Sequence, residues 1–197
     1  MIHLSINLPL FLTLIRLVLS PLLVPLLFSL FIPLNSFPIN SCLAILFLFL
    51  SLTDFFDGFL ARRYNQVTIL GSLLDPIADK FLLFSTLVTL VSVGKVFFYW
   101  AILFITREFF IMGLRYISLE QGFKIPVVIS AKLKTWFQTG YMVIAILNPH
   151  NNLFLSQNSW NMIETILLAT ALIFSIFSAS LYFNVFIKNM KTMNHKN

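Results

Sequence analysis

The chain has 197 residues; 59% come from the set Ala, Val, Ile, Leu, Met, Phe, Trp, Tyr and Cys, and only 10% are charged, against about 45–50% apolar and about 25% charged in soluble domains. Too few polar residues remain to cover a water-facing globule, and the 23 phenylalanines and a mean hydropathy of +0.93 point the same way, so an all-α integral membrane protein is expected and secreted, disordered or nucleic-acid-coating classes are excluded. The net charge of +6 includes no basic run beyond Arg62-Arg63, which suits the lipid surface as anionic partner and not nucleic acid.

Near the N-terminus the apolar segment has no basic leader or small-residue cleavage site and is interrupted by Arg16, so it is expected to be retained structure. Residues 17 to 53 carry no charge; this run of 37 residues is long enough for two spans of about 20. Pro33 and Pro38 mark a turn within it, giving spans at 10–32 and 39–62. A third span, 72–93, must include the turn bearing Asp75, Asp79 and Lys80. The fourth, 96–119, is interrupted by Arg107, Glu108 and Arg115. The charge-free runs 135–163 and 165–187 supply a fifth span at 131–147, with Lys132 and Lys134 at its start, and a sixth at 160–187, separated by the polar turn Asn148-Pro149-His150-Asn151-Asn152.

Basic residues accumulate at cytoplasmic span ends. With six spans, Arg62, Arg63, Arg115, Lys124, Lys132, Lys134, Lys188, Lys191 and Lys196 fall on one side and only Lys95 on the other. Both termini are therefore expected in the cytoplasm. Cys42 is the single cysteine and the three histidines are scattered, so neither a disulfide framework nor a thiolate or histidine metal centre can be assembled.

All four aspartates lie within 26 residues: Asp54-Phe55-Phe56-Asp57-Gly58-Phe59-Leu60-Ala61-Arg62, then Gly71, Asp75 and Asp79. On helices, Asp54 and Asp57 lie about 60° apart, and Asp75 and Asp79 about 40° apart. Two consecutive helices thus each bring a pair of carboxylates to one boundary of the membrane. Four such groups without histidine or cysteine would repel one another unless hard divalent cations sat between them, and Mg²⁺ or Mn²⁺ suits oxygen ligands. Two such ions would clamp both oxygens of a phosphoryl displacement. Gly58, Ala61 and Gly71 leave room for a nucleotide or pyrophosphate near the backbone, and Arg62 offers a planar fork to phosphate. The bland alternative is a set of helix-end carboxylates paired with Arg62, Arg63 and Lys80.

The pattern D-x₂-D-G-x₂-A-R-x₈-G-x₃-D-x₃-D, met without a gap from Asp54 to Asp79, resembles the signature of the CDP-alcohol phosphatidyltransferases. The resemblance implies six spans, commonly a homodimer, and a cytoplasm-facing cavity that takes a CDP-linked lipid and an alcohol and releases CMP. It implies two metal ions on Asp54, Asp57, Asp75 and Asp79, with Asp79 as general base, and places Gly58, Ala61, Arg62, Thr68 and Gly71 around the CDP moiety. Asn7-Leu8-Pro9, Leu74 to Lys80, Arg107-Glu108, Gly113-Leu114-Arg115 and Lys132-Leu133-Lys134-Thr135 with Gln138 are similar to the branch of bacterial phosphatidylglycerophosphate synthases. Leu10 and Ala131 depart from that branch, which often has Asn and Gly there.

The acceptor side has its own signal. Glu108 and Arg115 are seven residues apart, about 20° off one helix face, so the fourth span is expected to turn a charged face inward. Arg107, Arg115, Lys132 and Lys134 would gather near the cavity mouth and suit an acceptor carrying a phosphate, glycerol 3-phosphate above serine or choline; serine, inositol phosphate and phosphatidylglycerol are the alternatives. A structural Arg107–Glu108 pair with anchoring lysines is the competing reading. Thr13 and Arg16, on a segment expected along the interface before the first span, are candidates for the lipid phosphate, or Arg16 simply snorkels. A small transporter would instead distribute its charges through the membrane and often show two related halves; here the aspartates cluster at one boundary and no repeat is visible.

Overall fold

In the computed structural model, the described backbone covers residues 8–63, 69–123, 125–126, 128–148 and 156–194, and the described side chains are 17–52, 77–78, 80–123, 125–126, 128–148 and 156–193. Six α-helices account for almost all of it: α1 Leu8–Phe31, α2 Phe37–Arg63, α3 Ile69–Ser92, α4 Phe98–Glu120, α5 Ile129–Leu147 and α6 Gln157–Asn194. There is no strand among the described residues. The six expected segments therefore all appear as helices, in order and close to their expected bounds.

The chain divides into two compact units. In the first, formed by 1–96 with 145–154, α1 packs along α3 and α2 touches both. The buried residues Val24, Phe28 and Ile32 recur every four positions on α1, the stripe that one helix face requires. The turn after α1 is a short 3-10 helix, Ile32–Leu34, closed by Asn35 at φ 50°, a left-handed conformation that Asn tolerates better than most residues. In the second unit, 97–144 with 155–197, α4 packs on α6. Ile111, Leu114, Ile125 and Tyr182 form its core cluster, and Phe137 stacks on Phe174 with centroids 5.3 Å apart.

Outward-facing side chains are apolar as well. Leu22, Phe49 and Ile176 are all more than half exposed, a surface that water would not tolerate at this density. Ser85, Thr86 and Thr89 each donate to the carbonyl of the residue four earlier in α3, which satisfies the hydroxyls without a solvent partner. Leu17–Leu34, from α1 through the 3-10 turn, and Gln157–Met193 in α6 are long and apolar enough to cross a membrane, while Phe37–Leu52 and Lys80–Ser92 are shorter apolar stretches.

Two boundaries differ from the expectation. α1 runs without a break from Leu8 through Thr13 and Arg16, so these two residues belong to the first helix and not to a separate interfacial segment; backbone hydrogen bonding continues through a single charge. α6 extends seven residues past Ile187, through Lys188 and Lys191, because hydropathy ends where charge begins whereas helix propensity does not.

α3 and α4 end alike. Gly94 and Gly122 adopt φ of 74° and 80°, and each follows a Schellman pattern: Lys95 N–H donates to Leu90 O and Gly94 N–H to Val91 O, as Phe123 N–H does to Ser118 O and Gly122 N–H to Leu119 O. A Cβ at either glycine would meet nothing within 4 Å, so only backbone strain opposes substitution. Gly122→Ala is expected to lower stability by about 1 kcal/mol and Gly122→Asn by less, read as the shift in thermal unfolding of the detergent-solubilised protein.

Candidate functional site

The aspartates occupy the joined ends of α2 and α3, which are connected by five residues. At 1.5 Å per residue, Asp57 lies about 9 Å back from the end of α2 and Asp75 about 9 Å beyond the start of α3; Asp54 and Asp79 lie at about 14 and 15 Å. The two helices touch, and Asp57 and Asp75 lie at similar distances along their helices from the connection, as do Asp54 and Asp79. Gly58, Ala61, Arg62 and Gly71 belong to the same helix ends. The side chains of these residues, and of Thr13 and Arg16, lie outside the described residues, as does Thr68 altogether. Among the described residues no three His, Cys, Asp or Glu groups come together.

In the second unit the structure assembles a polar centre between α4, α5 and α6. Arg107 Nη1 donates to Glu108 Oε1 at 2.9 Å, and Lys134 Nζ donates to the same oxygen. Arg107 Nη2 donates to Ser178 Oγ at 2.6 Å, its Nε to Ser175 O at 3.4 Å, and Ser178 Oγ in turn to Ser175 O at 3.1 Å. The side chains of Arg107, Glu108 and Lys134 are 11%, 5% and 2% exposed. Two cations thus share one carboxylate away from water. Ionised groups at this depth are stabilised by mutual pairing and by hydrogen bonds.

Lys132 and Arg115 fall elsewhere. Lys132 is exposed on α5, two residues and about 200° from Lys134. Arg115 is also exposed, its guanidinium 5.7 Å from the Tyr182 ring centroid. The expectation that Glu108 and Arg115 share an inward face is corrected accordingly: Leu114 continues the buried stripe, and the long arginine side chain lies over an aromatic ring near the end of the helix with its head outward. Of the four expected cations, the structure brings together Arg107 and Lys134.

Comparison with known proteins decides the family. Residues 6–177 match the CDP-alcohol phosphatidyltransferase family. The chain belongs to that family. A CDP-diacylglycerol–glycerol-3-phosphate 3-phosphatidyltransferase of Rickettsia typhi is 38% identical over 141 residues, covering 72% of this chain and 76% of its own length. Proteins with the same name from Yersinia enterocolitica and Yersinia pestis are 34% identical over 193 residues (94% and 98% of the two chains) and 38% identical over 159 residues (77% and 83%). As a CDP-alcohol phosphatidyltransferase, the chain is a transferase of phospholipid synthesis.

The family signature accounts for the α2–α3 ends, but sequence reasoning missed Ser175 and Ser178 as partners of Arg107. Their signal was slight: two hydroxyls three residues apart on an otherwise charge-free span. The polar centre makes a separable prediction. Glu108→Gln leaves Arg107 and Lys134 facing each other without their shared anion and is expected to destabilise by about 3 kcal/mol, whereas Lys134→Met leaves the Arg107–Glu108 pair intact and is expected to be milder. The double variant should be less damaged than the sum of its parts, as measured by a thermal-unfolding mutant cycle.

Proposed function

We propose that the protein transfers the phosphatidyl group of CDP-diacylglycerol to sn-glycerol 3-phosphate, giving phosphatidylglycerol phosphate and CMP. Family membership and the activity named for the relatives support the reaction class. The observation that carries the acceptor is the buried centre in which Arg107 and Lys134 share Glu108: two cations gathered out of water suit the dianionic phosphate of a phosphorylated alcohol better than the single carboxylate of serine. Arg115 and Lys132, exposed at the same ends of α4 and α5, would draw that anion toward the centre.

On this reading Arg62 and the small residues Gly58, Ala61 and Gly71, with Thr68, hold the CDP moiety, and Thr13 and Arg16 lie near the lipid phosphate. Asp54, Asp57, Asp75 and Asp79 would hold two Mg²⁺ or Mn²⁺ ions; oxygen donors on two neighbouring helix ends fit hard cations. When bound, these ions neutralise the carboxylates and stabilise charge on the attacking and leaving oxygens. Asp79 accepts the proton from the acceptor's primary hydroxyl. That oxygen attacks the lipid-side phosphorus, the pyrophosphate bond breaks, and CMP departs. Positioning and charge neutralisation supply most of the acceleration.

All six helices are read as spans of the cytoplasmic membrane, with both termini and the site facing the cytoplasm and the protein working as a homodimer. The nine-to-one distribution of basic residues supports this orientation. So does Lys95, whose Nζ donates to Asn148 O at 2.5 Å, because the topology requires the α3–α4 turn and the end of α5 on one side.

Purified protein given CDP-diacylglycerol and Mg²⁺ is expected to release CMP with glycerol 3-phosphate and not with serine, inositol phosphate or phosphatidylglycerol; release with serine alone would overturn the acceptor. Asp79→Asn is expected to lower that release by about 10³-fold with unchanged thermal unfolding, and an active variant would remove Asp79 from the reaction. Chelation by EDTA should abolish activity, with recovery on adding back Mg²⁺ or Mn²⁺.

A further inference from the structure

Ser130, Lys134 and Gln138 follow one another at four-residue intervals on α5, forming a single stripe about 12 Å long. Lys134 is 1% and Gln138 0% exposed. Neither polar atom of the Gln138 side chain has a hydrogen-bond partner, nor does Ser130 Oγ. On one side of Gln138, one helical turn away, stands the Arg107–Glu108–Lys134 centre. On the other, Phe104 and Tyr141, with ring centroids 6.4 Å apart, form an aromatic layer. An amide is thus held between a charged layer and an apolar one with both its hydrogen-bonding atoms unused, although a buried amide left so bears its whole desolvation penalty. Asn40 in α2 is also buried and unpartnered, but the residues one turn either side of it, Ser36 and Ala44, carry no charge.

We propose that Gln138 is a specificity-determining residue whose amide binds the 2-hydroxyl of the acceptor. The proposal rests on the reading that the acceptor is glycerol 3-phosphate with its phosphate against Arg107 and Lys134. Gln138 is about 6 Å along the helix from Lys134, a distance suited to a hydroxyl one carbon beyond the phosphate ester. An amide is a donor and an acceptor at once, as a hydroxyl is, so one side chain serves both halves of that group. A site built to pair a substrate hydroxyl discriminates strongly against an analogue lacking it, because the protein's own polar atoms are then stranded.

The test compares kcat/KM for CMP release with glycerol 3-phosphate and with propane-1,3-diol monophosphate, which keeps the phosphate and the primary hydroxyl and lacks only the 2-hydroxyl. The wild type is expected to prefer glycerol 3-phosphate by at least about 100-fold. Gln138→Met is expected to bring the ratio to within about threefold of unity, by lowering the value for glycerol 3-phosphate and leaving that for the analogue unchanged. Its thermal unfolding without acceptor should not fall, since no hydrogen bond is removed; Gln138→Asn, read by the same ratio, serves if the Met variant does not accumulate. A variant retaining the wild-type ratio, or a wild type without preference, overturns the proposal alone. A wild type inactive with glycerol 3-phosphate yet active with another acceptor overturns the acceptor assignment and this proposal with it.

Discussion

Apolar surroundings set the terms on which a charge can exist inside this chain. Away from water an ionised side chain has to find an opposite charge or a set of hydrogen-bond donors and acceptors, or it does not stay ionised. Glu108 shows the constraint directly. It is buried on α4 and accepts from both Arg107 and Lys134, while Arg107 is further held by a backbone carbonyl and a hydroxyl on α6. Three helices of one unit are therefore fixed to one another through a single carboxylate. The same contact that organises their packing gathers two cations out of water.

The first unit is organised differently. Apolar stripes join α1 to α3, and hydroxyls on α3 are returned to their own helix. The four aspartates lie near the ends of α2 and α3, joined by five residues. That short connection keeps the two helix ends near one another, so four aspartates separated by up to 25 positions in sequence lie on two neighbouring helix ends.

Much of this was legible in the order of residues. The first, second, fifth and sixth helices could be anticipated from charge-free runs and the prolines at 33 and 38, and the third and fourth from apolar segments interrupted by a few charges, because lipid rewards long apolar stretches and backbone hydrogen bonds close within each helix. The aspartate signature was legible because helical period converts spacing into a shared face. The glycine ends at Gly94 and Gly122 depend on a local conformation that single residues announce only weakly. Arg115 was misplaced because a seven-residue interval fixes where Cα lies but not where a long, flexible side chain carries its charge. Ser175 and Ser178 were invisible as partners for Arg107, lying about 70 positions away on another helix.

The sequence by itself determined an all-helical, apolar chain, the positions of its helices and the family signature, since each depends on periodicity and composition over short range. Only the tertiary structure decided which charges meet: that Lys134 is buried on Glu108 while Lys132, two residues earlier, faces outward, and that Gln138 is enclosed without a partner. The reason is that helix spacing ranks residues by face, whereas pairing depends on which face of another helix arrives opposite, a choice made by packing over the whole unit.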